Sequence, residues 1–215
     1  MLELRNFEIG LDGKRKLMVD FSLRAGVALR LSGKSGGGKT TLLKAAALLI
    51  PRLAGEIFLH GRESKEYLPY HWRRQVSYLA QKPAMIPGTV EDNLRLPFSL
   101  KISGKASYAC ENCAALLDTL GLDKDTLHRD AAVISGGEAS RVAVLRSIIA
   151  EPSVILADEI TAPLDAENAS KVVAALKEWL SGGQRALLFV AHQDEVWEGL
   201  TAGEMMIDKF LNYKR

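Results

Sequence analysis

GKSGGGKT, residues 33–40, lies between the apolar run VALRL and the Ala- and Leu-rich run TTLLKAAALL. Its glycines let successive backbone N–H groups curl around phosphate oxygens, and a helix starting behind them adds positive potential at its N-terminus. The spacing G-x-x-x-x-G-K-[ST] is complete. Lys39 would neutralise β- and γ-phosphate charge, and the Thr40 hydroxyl is a hard oxygen donor suited to Mg²⁺. A glycine-rich turn that merely includes a lysine would not need a strand before it and a helix after it. The stretch therefore predicts strand, phosphate loop and helix, and a bound nucleotide.

Outward from the loop, LELRNFEI, MVDFSLR, GVALRLSG and GEIFLHG read as short strands punctuated by Gly and Asp. KTTLLKAAALLI is expected to be a buried helix stopped by Pro51. QVSYLA is a further strand. From about residue 89 to 150 the pattern becomes helical, as in SYACENCAALLDTLGL, where Ala109, Cys113, Leu116 and Leu120 share a face. Strand signals return at SVILAD and ALLFVAH, with the helical AENASKVVAALKEWL between them. Strands alternating with helices predict an α/β fold with a mainly parallel sheet covered on both faces. A helical insert divides that core in sequence. The expected organisation is one domain over 1–215, with a nucleotide-binding core at 1–82 and 151–215 and a helical subdomain at 83–150.

Composition narrows the classes. A chain of 215 residues with 47% hydrophobic and 25% charged residues is globular rather than disordered. Its formal net charge of +2 argues against a binder dominated by nucleic-acid phosphates, so no nucleic-acid partner is expected. Two cysteines, Cys110 and Cys113, imply no disulfide framework and fit a reducing compartment. They fall one helical turn apart without a second pair to complete a tetrahedral metal site, so a helix-packing role is expected. The opening residues carry charges among apolar positions, unlike a signal peptide. The longest apolar runs, AAALLI and ALLFVA, fall far short of the ~20 residues that span a bilayer.

SVILADE is an apolar strand ending in Asp158 and Glu159. Ligands of open α/β sheets gather at the carboxyl ends of strands, so both acids should emerge beside the phosphate loop. Asp158 suits Mg²⁺ coordination and Glu159 suits polarising an attacking water. Alone, the pair could equally be two solvated acids or a helix cap. His192 closes the strand ALLFVAH and Gln81 follows the strand VSYLA; each gains meaning only from order and context.

A second glycine stretch, ISGGEASR at 134–141, has no lysine and no strand leading into it. Ser135 and Glu138 form S-x-x-E, a capping box for the helix continuing through ASRVAVLRSII.

In order and spacing, GKSGGGKT, AQKP, ISGGE, LADE, TAPLD and VAHQDE resemble an ATP-binding-cassette (ABC) ATPase over essentially the whole chain. The resemblance implies a P-loop NTPase core with a small antiparallel β subdomain and a helical insertion. It implies ATP and Mg²⁺ held by Gly33, Lys34, Ser35, Gly36, Gly37, Gly38, Lys39, Thr40 and Thr41. It implies a Q-loop at Gln81 that contacts the metal, a metal-binding Asp158 and a catalytic Glu159. A D-loop ending at Asp165 and a switch histidine at His192 complete the set. In this family two cassettes pair head to tail, so Ser135, Gly136, Gly137 and Glu138 of one copy would close over ATP held by the other. The lysine missing from the second stretch is then the other copy's Lys39.

Four departures from the family pattern stand out. The signature reads ISGGE rather than LSGGQ, the D-loop reads APLD rather than SALD, and Ala157 stands where leucine is typical. The aromatic that stacks on adenine has no match, Leu11 being the nearest residue, so loose base selectivity is expected. Only a short tail follows His192 and no spanning segment is present. This pattern points to a stand-alone ATPase subunit, peripheral on the cytoplasmic face of the cell membrane. Its integral-membrane permease would dock around QVSYLAQKPAMIPGTVEDNLRLPF. The same stretches look most like a small bacterial subgroup of metal (iron) exporters. The competing class is a soluble cassette protein such as an iron–sulfur assembly scaffold component.

Overall fold

Strands and helices do alternate, in the order β1 (Leu2–Gly10), β2 (Arg15–Leu23), β3 (Ala28–Ser32), α1 (Lys39–Ala46), β4 (Ala54–Leu59), β5 (Arg62–Glu63), α2 (Pro69–Gln75) and β6 (Val76–Leu79). Then come α3 (Val90–Ser99), α4 (Cys113–Thr119), α5 (Gly136–Ile149), β7 (Val154–Asp158), α6 (Ala166–Ser181), β8 (Ala186–Val190), α7 (Asp194–Trp197), β9 (Gly203–Met206) and β10 (Leu211–Tyr213). The structure is a computed structural model that describes residues 1–13, 15–99, 113–191 and 194–213. Ala109, Cys110 and His192 lie outside the described residues, as does the side chain of Cys113.

The strands form two five-stranded sheets. One runs β6-β7-β8-β3-β9 with every neighbouring pair parallel. The other runs β10-β2-β1-β4-β5 with every pair antiparallel. The helices α3, α4 and α5 fall between β6 and β7 in sequence. Strand β7 is buried at every position, and its side chains alternate between two cores. Val154 and Leu156 pack with α1 and the antiparallel sheet, whereas Ile155 and Ala157 pack with Leu94 of α3, Val142 of α5 and Val172 of α6. A parallel strand covered on both faces needs such a continuous apolar run.

Two local expectations change. Helix α1 ends at Ala46, well before Pro51. Leu49 N donates to Lys44 O at 2.9 Å and Leu48 N to Ala45 O at 3.0 Å, a Schellman motif with Leu48 at φ 55°. Leucine replaces the usual glycine at that left-handed position, which hides the stop from sequence. At the end of α4, Leu117 and, one residue past the helix, Leu120 are buried, while Leu116 is only partly buried. Leu120 N still donates to Leu116 O at 3.2 Å, so helical spacing carries through to Leu120 and the buried face shifts toward Leu117.

In β1, Leu2 and Leu4 point into the core, and then Phe7 and Ile9 do. The one-residue change of phase occurs at Asn6, whose φ of 46° marks a bulge between the register pairs Leu4↔Phe21 and Phe7↔Val19. Opposite the bulge, Gly55 of β4 has φ 83°, and a Cβ there would sit 2.1 Å from Asn6 O. Gly55→Ala thus combines left-handed backbone strain with a clash against main chain. It is expected to lower stability by about 2–4 kcal/mol, read as a fall in the chemical-denaturation midpoint.

Candidate functional site

Residues 33–38 join β3 to α1, and Gly36 and Gly38 take φ values of 72° and 96°. Lys39 is 8% exposed, and its ammonium donates to Gly33 O at 2.7 Å and Lys34 O at 3.1 Å. Lys34 N donates to Asp208 Oδ2 at 3.2 Å, bracing the loop from the tail of the chain. Ser35, Gly36, Gly37, Gly38, Lys39, Thr40, Thr41 and Glu159 line one cleft of about 360 Å³, together with Leu11 and Arg15. Positive charge, a glycine-rich backbone and a helix N-terminus converge there, a combination suited to a polyphosphate.

The acids reach the same place. Thr40 Oγ1 donates to Asp158 Oδ1 at 3.0 Å, linking the start of α1 to the end of β7. A hydroxyl and a carboxylate in contact are hard oxygen donors of the kind Mg²⁺ takes, so these residues fit that ion. Tyr78 OH, from β6, donates to Asp158 Oδ2 at 2.9 Å. Burial first, and then this bond, push the Tyr78 hydroxyl well above its ordinary range, so it remains a donor at physiological pH.

Glu159 leaves β7 at φ 50°, a left-handed conformation costing about 1 kcal/mol or more for a residue with a side chain. It is held by Glu159 N donating to Val190 O and Ala162 N donating to Glu159 O, each at 3.0 Å. Gln81 Nε2 donates to Glu159 Oε2 at 2.9 Å. The amide nitrogen of Gln81 thus serves Glu159.

Ser135, Gly136, Gly137 and Glu138 stand apart from this cleft, at the N-terminus of α5. The expected capping box is formed: Glu138 N donates to Ser135 Oγ at 3.2 Å and Ser135 N to Glu138 Oε2 at 2.8 Å. Arg129 pairs with the other carboxylate oxygen at 2.5 Å. The Ser135 amide first, with Arg129 adding to it, holds the Glu138 carboxyl below its ordinary 4.5. Gly136 is exposed, with nothing within 4 Å of where a Cβ would lie, while Gly137 packs on Leu164. Asp165 caps α6 by accepting Asn168 N at 2.8 Å, which draws its carboxyl below the ordinary range.

Three residues emerge from the structure alone. Arg141, in the apolar run SRVAVLR, donates through Nη1 to Leu120 O, Gly121 O and Asn168 Oδ1, tying α5 to α6 behind Asp165. Tyr78 is signalled only by a polar tip in a short strand. Arg15 is signalled only by its place in a hairpin turn.

A carboxylate whose folded pKa lies below its unfolded value adds stability above the unfolded pKa and loses it as pH falls through the folded one. Glu138→Gln keeps a side chain able to complete the capping box but removes that titration and the Arg129 ion pair. The expected change at neutral pH is under about 1 kcal/mol. The acid limb of the stability curve below pH 4.5 should flatten relative to wild type, as read by denaturant titrations across pH.

The family profile of ABC transporters matches residues 17–162. The chain is 35% identical over 202 residues to the probable iron export ATP-binding protein FetA of Escherichia coli, covering 91% of this chain and 87% of that one. It is 32% identical to the lipoprotein-releasing system ATP-binding protein LolD of Psychrobacter arcticus, over 81% of this chain and 79% of that one. Among solved structures, the ATP-binding cassette MJ0796, in a dimeric post-hydrolysis state with ADP and Pi, superposes with a TM-score of 0.82. That alignment has 20% identity and covers 100% of this chain and 99% of that one. With its phosphate loop, its strand-end acids and its serine-capped, glycine-led α5 all in family order, the chain belongs to the ABC transporter family as an ATP-binding cassette ATPase.

Proposed function

We propose that this chain is the ATP-hydrolysing subunit of a transporter, working as a head-to-tail pair of identical copies on a separate membrane permease. The observation that carries the reading is the convergence of Lys39, Thr40, Asp158, Gln81 and Glu159 at one cleft edge. Lys39 and amides of the loop and of the first turn of α1 hold the phosphates. Thr40, Asp158 and the Gln81 carbonyl would hold Mg²⁺, which when bound neutralises phosphate charge. Glu159, oriented by Gln81, takes a proton from the water that attacks the γ-phosphorus, and ADP leaves with its β-oxygen as leaving group. His192, which lies outside the described residues, is proposed to complete the γ-phosphate surroundings.

A lone copy has two half-sites. Ser135–Gly137 lie at the N-terminus of α5, away from the copy's own loop, and would meet the γ-phosphate of a second copy. Support comes from the openness of Gly136 and from Val133 beside it, an apolar side chain 69% exposed. The Arg129–Glu138 pair and the cap turn the glutamate's charge away from that phosphate. Asp165 belongs to the same contact. Residues 83–150 are the subdomain that carries this half-site.

The permease is proposed to dock in a cleft of about 410 Å³ between α2, β6, α3 and α5, whose lining includes Tyr70, Arg73, Tyr78, Leu96 and Arg146. No helix among the described residues is long and apolar enough to cross a membrane. The translocation path is assigned to that partner. The subunit then sits on the cytoplasmic face of the cell membrane. On the strength of the relative named for iron export, the proposed cargo is iron, moved outwards.

Glu159→Gln should lower steady-state ATP hydrolysis by about 10²-fold or more while ATP binding persists. Unchanged turnover would remove Glu159 as the base. Purified from its native cell, the chain should bring down a multi-spanning permease, and iron should raise the ATPase rate of that complex. Co-purification with assembly-scaffold proteins instead would replace the transport reading.

A further inference from the structure

The stretch LDGKR at 11–15, which leads from β1 into β2, contains no aromatic residue. Among its described residues, Leu11 and Arg15 line the cleft. Leu11 lies against the loop itself: its Cδ2 is 2.6 Å from the point that a Cβ on Gly38 would occupy. Only glycine at residue 38 lets Leu11 sit so low. Arg15 is anchored from several sides. Its carbonyl accepts Leu11 N at 3.1 Å, and its backbone pairs in register with Tyr213 of β10. Its N–H donates to Asp12 Oδ1 at 2.8 Å, and its Nε donates to Asp12 Oδ2 at 2.7 Å. Asp12 therefore grips both the Arg15 main chain and one N–H of its guanidinium.

The same grip offsets the guanidinium's charge, which makes it a poor counter-ion for phosphate. Lys39 and the loop amides already fill that role. What remains is a flat, delocalised surface, and such a plane stacks on π-systems as an aromatic ring would. We infer that Arg15, oriented by Asp12 and flanked by Leu11, is the platform on which the purine of the nucleoside triphosphate stacks. The inference rests on the reading of this cleft as the ATP site. A stacking plane holds a base by its face and does not read its edges, so ATP and GTP should bind within a few-fold of each other.

The test uses the full chain with Mg²⁺ and equilibrium titration of ATP, GTP and base-free tripolyphosphate. Arg15→Ala and Arg15→Lys should each weaken ATP and GTP by about three- to tenfold, yet leave tripolyphosphate within about twofold of wild type. Lysine keeps the charge and loses the plane, so it separates the two roles and also covers any folding defect in the alanine variant. Retained ATP affinity in Arg15→Lys, or a parallel loss of tripolyphosphate binding, would make Arg15 a phosphate contact and overturn the inference. A wild type that prefers ATP over GTP by about 100-fold or more would overturn it too. If wild type bound neither nucleotide nor tripolyphosphate, the ATP-site reading would fall with it. Wild-type binding with indifferent variants rejects the platform alone.

Discussion

The hydrogen bond from Thr40 to Asp158 joins two residues 118 apart in sequence, and the chemistry of the site depends on it. The phosphate loop follows β3 and the acids follow β7, yet these strands are not neighbours. Strand β8 lies between them, paired to both in parallel register. Parallel pairing puts the carboxyl ends of all three strands on one edge, which is why loop, acid and Val190 carbonyl meet there. A slip in either register would separate Thr40 from Asp158 and remove the carbonyl that holds Glu159 in its left-handed turn.

A second set of bonds ties the α5 end to this edge. Ser140 Oγ donates to Ile160 O at 2.7 Å, one residue beyond Glu159. Arg141 spans from the end of α4 to Asn168, which in turn bonds Asp165. Displacing the N-terminus of α5 therefore strains the segment carrying Glu159 and Asp165, because buried polar bonds are expensive to leave unmade. The glycines that would face a second copy and the acid that would activate water thus share one rigid support.

How much of this is legible in the sequence varies with the kind of signal. The loop reads well because its chemistry, its spacing and its flanking periods agree, and the acids read well once the loop supplies context. The Ser135–Glu138 cap is a local device, and local devices can be read from adjacent residues. Leu48 defeats the rule for helix ends, since its side chain sits where glycine is expected and packing on the core sustains the conformation. Arg141 is opaque for another reason. Helical periodicity assigns it to a buried face, where a charge reads as an error, and its acceptors are brought together by tertiary folding. Tyr78 and Arg15 likewise depend on what faces them across the fold.

Tyr78 shows how the two clefts are connected. Tyr78 lines the wide cleft bounded by α2, α3 and α5, while its hydroxyl holds Asp158, the partner of Thr40. Gln81, just beyond the same short strand, holds Glu159. One edge strand, β6, thereby contacts both acids of the site from the side opposite the phosphate loop. Asp158 is almost fully buried, so a shift of Tyr78 would leave one of its oxygens short of a donor. One residue, Tyr78, thus reaches from the outer cleft of this cassette to an acid of its phosphate site.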